Sequence, residues 1–444
     1  MKNDYLITEN PLKALIVFAI PMIIGNLFQQ AYTMADSAIV GRLVGEKALA
    51  AVGAAYSLTN IFICVAIGGG MGASVIVSQY FGHGNYGKLK KTVYTALVTF
   101  LVISVMLGVI GLVFSKNIMI AMNTPVEVLD MSVTYLQIYF LGLPFLFMYN
   151  VLSSMFNALG KSRIPLYFLI FSSVFNIVLD WVFVADFALD VAGVAWATLI
   201  AQGVSVLGSF TVLRKELKKL EGASDGIFEA EELLPMAKIA LPSILQQSTV
   251  SIGMMLVQSV VNSFGAESLA GFSAGMRIES ICVVPMAAVG NAISSYTAQN
   301  IGAGQLKRVS KGYVQANKMV IFFGVVICVI LELFPTQLIT LFLGADGSQV
   351  AIATGYGYLV FMGFFFFMIG FKMAADGVLR GAGDMKLFTI ANLVNLSIRV
   401  IMAMTLAPRF GIAWVWYAVP IGWTANFVIS YLEYRTGKWK TIRR

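Results

Sequence analysis

Asp36, Asp180, Asn176, Thr198 and Tyr135 are the residues in this sequence best suited to chemistry, because each puts an oxygen-bearing side chain inside a long apolar run. Asn176 and Asp180 are four residues apart and therefore share one face of a helix. A charged side chain in hydrocarbon costs roughly 2.5–3.5 kcal/mol on insertion scales, so those that persist are functional candidates. Clustered carboxylates away from bulk water exchange protons, and carboxylate, amide and hydroxyl oxygens together replace the hydration shell of a hard cation. The set therefore suits a proton or a sodium ion, with Na+ held by Asp36, Asn176, Asp180 and Thr198. Each residue also has an ordinary explanation. Asp36 would be a wetted helix end, Asp180 a structural acid, and Tyr135 an interfacial aromatic with Tyr139 as its rival. Thr198 would bond its own helix backbone.

These side chains need membrane helices to position them. The 444 residues are 59% hydrophobic and 12% charged, with a mean hydropathy of +0.83, which excludes a water-solvated globular domain for most of the chain. Apolar runs of roughly 20 residues, enough to cross about 30 Å of hydrocarbon, recur along the whole sequence. They predict an all-α polytopic membrane protein of about twelve spans. At about 1.5 Å rise per residue, Asp36 falls near the outer end of span 1 and Asp180 on the outer half of span 5. Tyr135 enters from outside on span 4, and Thr198 lies two turns down span 6. Residues from four spans then meet at one depth. The net charge of +8 reflects orientation rather than nucleic acid, since the Lys and Arg residues concentrate in short loops on the side of both termini, predicted to be cytoplasmic. Arg42, Lys47, Lys116 and Arg409 fall on the other side; Arg277, Lys372 and Arg399 fall within spans. No removable signal peptide is expected, because Asp4, Glu9 and Pro11 precede the first span.

A direct repeat divides the chain. GEKALAAVGAAYSLTNI from Gly45 resembles GAESLAGFSAGMRIESI from Gly265, and SQYFGHG matches AQNIGAG at the same offset. Pro21 pairs with Pro242, Gly160 with Gly383, Asn176 with Asn395, and the GVAW at Gly193 with the GIAW at Gly411. Each repeat holds about six spans, so the predicted lobes have the same topology: residues 1–213 and 235–444, joined by a charged cytoplasmic linker over 214–234. In the second repeat Arg399 stands where the first has Asp180, so the acid cluster is not duplicated. Glu279 and Arg399 fall near mid-membrane and suit an interhelical pair or a substrate site. Lys372, Asp376 and Arg380 follow i, i+4, i+8, which reads first as a snorkelling ladder and second as a functional polar site. Pro21 removes a helix hydrogen bond and suits a hinge or a fixed kink.

Several chemistries lack their signatures. There is no GxxxxGK[ST] phosphate loop, so energy should come from an ion gradient rather than from ATP, and no cofactor is expected. His83 is the sole histidine, which rules out a Ser/His/Asp triad or an HExxH zinc site, and an enzyme is not expected. Cys64, Cys282 and Cys328 lie in apolar runs without paired spacing. Gly82/Gly84, Gly302/Gly304 and Gly381/Gly383 follow helices rather than strands and read as turns.

On NPLKALIVFAIPMIIGNLFQQAYTMADSAIVGRLVG from Asn10, SQYFGHG with its copy AQNIGAG, LRGAGD from Leu379, and Asn176 before Asp180, the chain resembles the multidrug and toxic compound extrusion family. The resemblance covers nearly the whole length. It implies two six-helix lobes that rock between inward-open and outward-open states, expelling small amphipathic, often cationic organic compounds in exchange for H+ or Na+. It also implies a monomer in a bacterial-type inner membrane. The family's first-lobe cation site falls on Asp36, Asn176, Asp180 and Thr198, with Tyr135 beside them. The stretch Pro235–Phe264 contains no Asp or Glu, whereas one branch of the family has an acid there. That departure favours the branch resembling the DNA-damage-inducible F-like proteins and leaves Asp376 as the remaining counterpart of a helix 10 acid. Two alternatives stand: a lipid-linked oligosaccharide flippase, which needs a cation-rich cavity beyond Arg277, Lys372 and Arg399, and an intramembrane prenyltransferase suggested by Asp180, Asp186 and Asp190.

Overall fold

The computed structural model describes residues 4–39, 41, 44–187, 189–222, 226, 228–344 and 347–441. Arg42 and part of the expected linker (223–225 and 227) lie outside them. Among the described residues the fold is all-helical. A short α1 (Tyr5–Thr8) precedes the first repeat: α2 (Pro11–Ile39), α3 (Glu46–His83), α4 (Tyr86–Ala121), α5 (Val126–Ala158), α6 (Arg163–Trp181) and α7 (Asp190–Lys218). The second comprises α8 (Leu233–Asn262), α9 (Ala266–Gly302), α10 (Leu306–Leu333), a short α11 (Pro335–Leu343), α12 (Gln349–Gly363), α13 (Phe366–Ala382), α14 (Met385–Phe410) and α15 (Ala413–Thr436).

Ten of these helices are long and apolar enough to cross a membrane, and α12 with α13 makes an eleventh, bent by 53° at its break. α15, with 24 residues, supplies a twelfth helix of similar length. The predicted spans coincide with these helices to within several residues. The bend and the separate α11 have no counterpart in the sequence reading. Helix ends follow local chemistry: the Asn85 side chain accepts from Lys88 N at 3.1 Å to cap α4, and Ser348 caps α12 in the same way at 3.2 Å. The second glycine of each GxG pair turns the chain in the left-handed region, with φ of 75°, 71° and 80° at Gly84, Gly304 and Gly383.

The chain forms two compact units. The first is Ile24–Ile244; the second combines the residues up to Ile23 with those from Leu245 onward. Both divisions fall inside continuous helices, α2 and α8, two residues past Pro21 and Pro242 respectively. In the first unit the start of α8 packs tightly on α3, for a Cβ at Gly72 would lie 2.3 Å from the Ala240 Cα. Tyr80 also donates to the Glu232 carboxylate at 2.8 Å. In the second unit Asn300 donates to the Leu6 carbonyl at 3.0 Å, and the Arg308 guanidinium donates to the Glu9 carbonyl at 2.7 Å. Close approach through small residues is how helices associate where lipid removes the hydrophobic driving force. The second unit has a buried core that includes Tyr296, Tyr358, Phe366 and Trp423.

Candidate functional site

The first unit brings Asp36, Asn176, Asp180, Thr198 and Tyr135 together. Asp36 stands three residues before the end of α2, and Asp180 one before the end of α6, where the chain continues as a π-helical turn over Val182–Asp186. Asp180 and Asn176 are buried, at 0% and 2% exposure. The two carboxyls lie within side-chain hydrogen-bonding reach of each other. Yet Asp36 Oδ1 and Asp180 Oδ1 are both buried with no hydrogen-bond partner. A buried carboxylate oxygen without a donor is costly, so the pair calls for a proton or a cation between its members.

Asn176 fixes the rest of the arrangement. With its amide oxygen toward α7 it accepts from the Thr198 backbone N–H at 3.0 Å and the Thr198 hydroxyl at 3.3 Å, and its nitrogen donates to Asp180 Oδ2 at 3.2 Å. The Thr198 hydroxyl also reaches the Val194 carbonyl at 3.1 Å, so the ordinary backbone contact and the site contact coexist. Tyr135 lies within electrostatic reach of both acids and packs on the buried cluster of Ala48, Val184, Val191 and Val194. Its rival Tyr139 instead donates to the Thr59 carbonyl at 3.1 Å.

Sequence reasoning missed Tyr32, which makes a very short hydrogen bond with Asn176 and lies one turn before Asp36 on α2. The available signal was that i, i+4 spacing. It also missed the cavity of about 60 Å³ beneath Asn176 and Thr198, lined by Gln29, Tyr32, Tyr149, Ser173 and Gln202. That space admits a few water molecules with several polar partners. The oxygens left open to a proton or a hard monovalent cation are those of Asp36 and Asp180, since the Asn176 oxygen is turned to Thr198 and its nitrogen to Asp180. Two acids fall short of a multi-acid centre, and no cluster of three or more His, Cys, Asp or Glu occurs among the described residues.

In the second unit the expected residues separate into two groups. Tyr358 donates to Glu279 in a very short hydrogen bond, with Phe272 and Trp416 packed edge-on against the tyrosine ring. Arg399 is within electrostatic reach of Glu279 but is not among its ion-pair partners in the described residues, and its Nε and the Asn395 Oδ1 lack hydrogen-bond partners. The other group is Lys372, Asp376 and Arg380 on α13. The snorkelling reading of this ladder is corrected by the structure: all three are buried, at 4%, 2% and 6% exposure. α13 turns this face to α9, α14 and α15 rather than to an aqueous boundary. Pro21 lies inside an unbroken α2. Asp186 belongs to the π-helical turn and Asp190 opens α7 with φ of 38°.

The chain matches the MatE family model over residues 21–182 and 242–405. It is 31% identical to the probable multidrug resistance protein YpnP of Bacillus subtilis, covering 98% of this chain and 97% of that one. It is 23% identical to the probable multidrug resistance protein NorM of Thermotoga maritima, over 96% and 93%. Its fold is shared with a crystal structure of MATE in complex with MaL6, at a TM-score of 0.90 and 24% identity, covering 100% and 99%. The two matched stretches fall on the two repeats, and together with the Bacillus relative they establish that this multi-pass membrane protein belongs to the MatE family.

Proposed function

We propose that the protein is a secondary multidrug exporter of a bacterial inner membrane, with both termini cytoplasmic, that exchanges small amphipathic or cationic organic compounds for H+ or Na+. The observation that carries the reading is the facing pair Asp36 and Asp180, each with one buried oxygen awaiting a partner. Names of relatives such as the multidrug export protein MepA of Staphylococcus aureus support the substrate class. Uptake of a cation or proton by the pair, with Asn176 and Thr198 bracing Asp180 and with Tyr135 and Tyr32 beside it, neutralises the end of α2. A ligand shifts a conformational equilibrium only through its differential affinity for the two states. The cation therefore needs to prefer the state that binds drug least, with α2 yielding near Pro21. Glu279, Arg399, Asp376 and Lys372 form polar sites apart from this exchange. The test is efflux of a fluorescent cationic dye from proteoliposomes under a pH gradient and then a sodium gradient. One gradient should drive it, and Asp36→Asn should abolish it; dye movement by the variant at the wild-type rate would refute the assignment.

A further inference from the structure

Asp376 forms what is in chemical terms a cation seat, and the seat is filled from within. Its Oδ1 accepts from Ser430 Oγ of α15 at 2.6 Å. Its Oδ2 accepts from Gln246 of α8 at 3.4 Å and Asn392 of α14 at 3.3 Å, and faces Lys372 Nζ at 3.3 Å. The same ammonium donates to Asn392 Oδ1 at 3.0 Å. Its side chain is 5% exposed and that of Asp376 is 3%. A carboxylate oxygen of α13 and an amide oxygen of α14 flank one positive charge, with the Ser430 hydroxyl holding the far carboxylate oxygen. Such oxygens suit a monovalent cation, and the charge here sits on a side chain one turn away along α13. Arg380, on the same face, donates to Asn291 at 2.8 Å and Ser294 at 3.2 Å, so the buried charges of this face of α13 are two cations and one anion.

We propose that Lys372 is a tethered counter-ion that occupies the cation seat of the second unit, so that Asp376 takes no exchangeable cation and ion exchange is confined to the first unit. The tethered ammonium cannot dissociate, whereas a free ion at the same oxygens could. Lys372 is thus a specificity-determining residue for how many ions the transporter handles. This inference concerns the second unit alone and is testable whether or not Asp36 and Asp180 act as proposed above.

The experiment compares wild type with Lys372→Met, Asp376→Asn and the double variant, purified in detergent. It reads melting temperature against NaCl, with choline chloride holding ionic strength constant, at pH 8 and pH 6. The charged and titratable groups facing Asp376 are Lys372 and Arg380 of its own helix and Tyr313 of α10; α8, α14 and α15 present the neutral Gln246, Asn392 and Ser430. Lys372→Met should gain a stabilisation by Na+ or by the lower pH that the double variant lacks. Ligand at ten times its dissociation constant favours the folded state about elevenfold, read as a shift of about 1–2 °C for a chain of this length. Wild type and Asp376→Asn should respond to Na+ alike. An equal response in Lys372→Met and the double variant would overturn the proposal, as would a sodium response of wild type that Asp376→Asn removes. Should Lys372→Met not be recovered folded, the neutral double variant decides. Gradient-driven dye export within threefold of wild type supports the tethered counter-ion, and a folded protein that has lost gradient coupling overturns it.

Discussion

Aligned through the repeat, Asp36, Asn176, Asp180 and Thr198 of the first half correspond to Val257, Asn395, Arg399 and Trp416 of the second. In the other direction, Lys372, Asp376 and Arg380 correspond to Tyr149, Ser153 and Asn157. One fold has thus been duplicated while its ionisable groups have not. The Asp36–Asp180 pair of the first unit leaves two carboxylate oxygens without partners, whereas Asp376 of the second is surrounded by four donors including an ammonium. An open donor set exchanges its ion and a closed one holds its structure. A single helical scaffold can therefore house a transport site in one copy and a polar anchor in the other. A second contrast lies at Thr59 and its repeat counterpart Glu279: Tyr139 donates to the Thr59 backbone carbonyl, whereas Tyr358 donates to the buried Glu279 carboxylate.

The largest effect that would sharpen this contrast is on transport. Asp36→Asn should lower gradient-driven export at least about tenfold, which corresponds to losing about 1.4 kcal/mol of differential affinity, while its melting temperature stays near that of wild type. Next comes stability. Asp376→Asn leaves two buried cations uncompensated and should cost about 3–5 kcal/mol, the usual result of breaking a buried pair from one side, measurable as a lowered denaturation midpoint. Comparable losses for Asp36→Asn and Asp376→Asn would erase the distinction between open and closed sets.

Tyr358→Phe should cost about 1–3 kcal/mol by leaving Glu279 without its donor, and Tyr139→Phe only about 1 kcal/mol. Equal losses in thermal denaturation would remove the contrast between these two tyrosine contacts. The smallest effect lies at the turn between α13 and α14, where burial and then the neighbouring Glu433 push the Asp384 carboxyl above its ordinary range. A raised acid penalises the folded state once pH climbs through its folded value. Asp384→Asn should therefore stabilise the protein at pH 8 and lose that advantage towards pH 4, read from melting temperatures at the two pH values.

Much of this architecture was legible beforehand because hydrocarbon punishes exceptions. Asp36 and Asp180 stand out in apolar runs, Asn176 follows from helical spacing, and the offsets from Pro21 to Pro242 and from Gly160 to Gly383 reveal the repeat. What stayed hidden has physical reasons. Tyr32 is a common residue in an apolar helix, and only the fold shows that α6 meets it. The i, i+4, i+8 spacing of Lys372, Asp376 and Arg380 is the same whichever way the face points, so burial was invisible. The 53° bend between α12 and α13 falls in the run Gly363-Phe364-Phe365-Phe366, which has no proline to announce it.

The units divide α2 just past Pro21 and α8 just past Pro242, and that bears on how the chain is made. A ribosome delivers residues in order, but the first unit is incomplete until Ile244 has emerged, well past the end of the first repeat. The opening segment up to Ile23 must meanwhile wait for Leu245 and beyond before its own packing partners exist. Domains generally fold as units in order of synthesis. The segment up to Ile23 therefore finds its place late, and a chain interrupted after α7 would leave that segment without packing partners and the first unit without the start of α8.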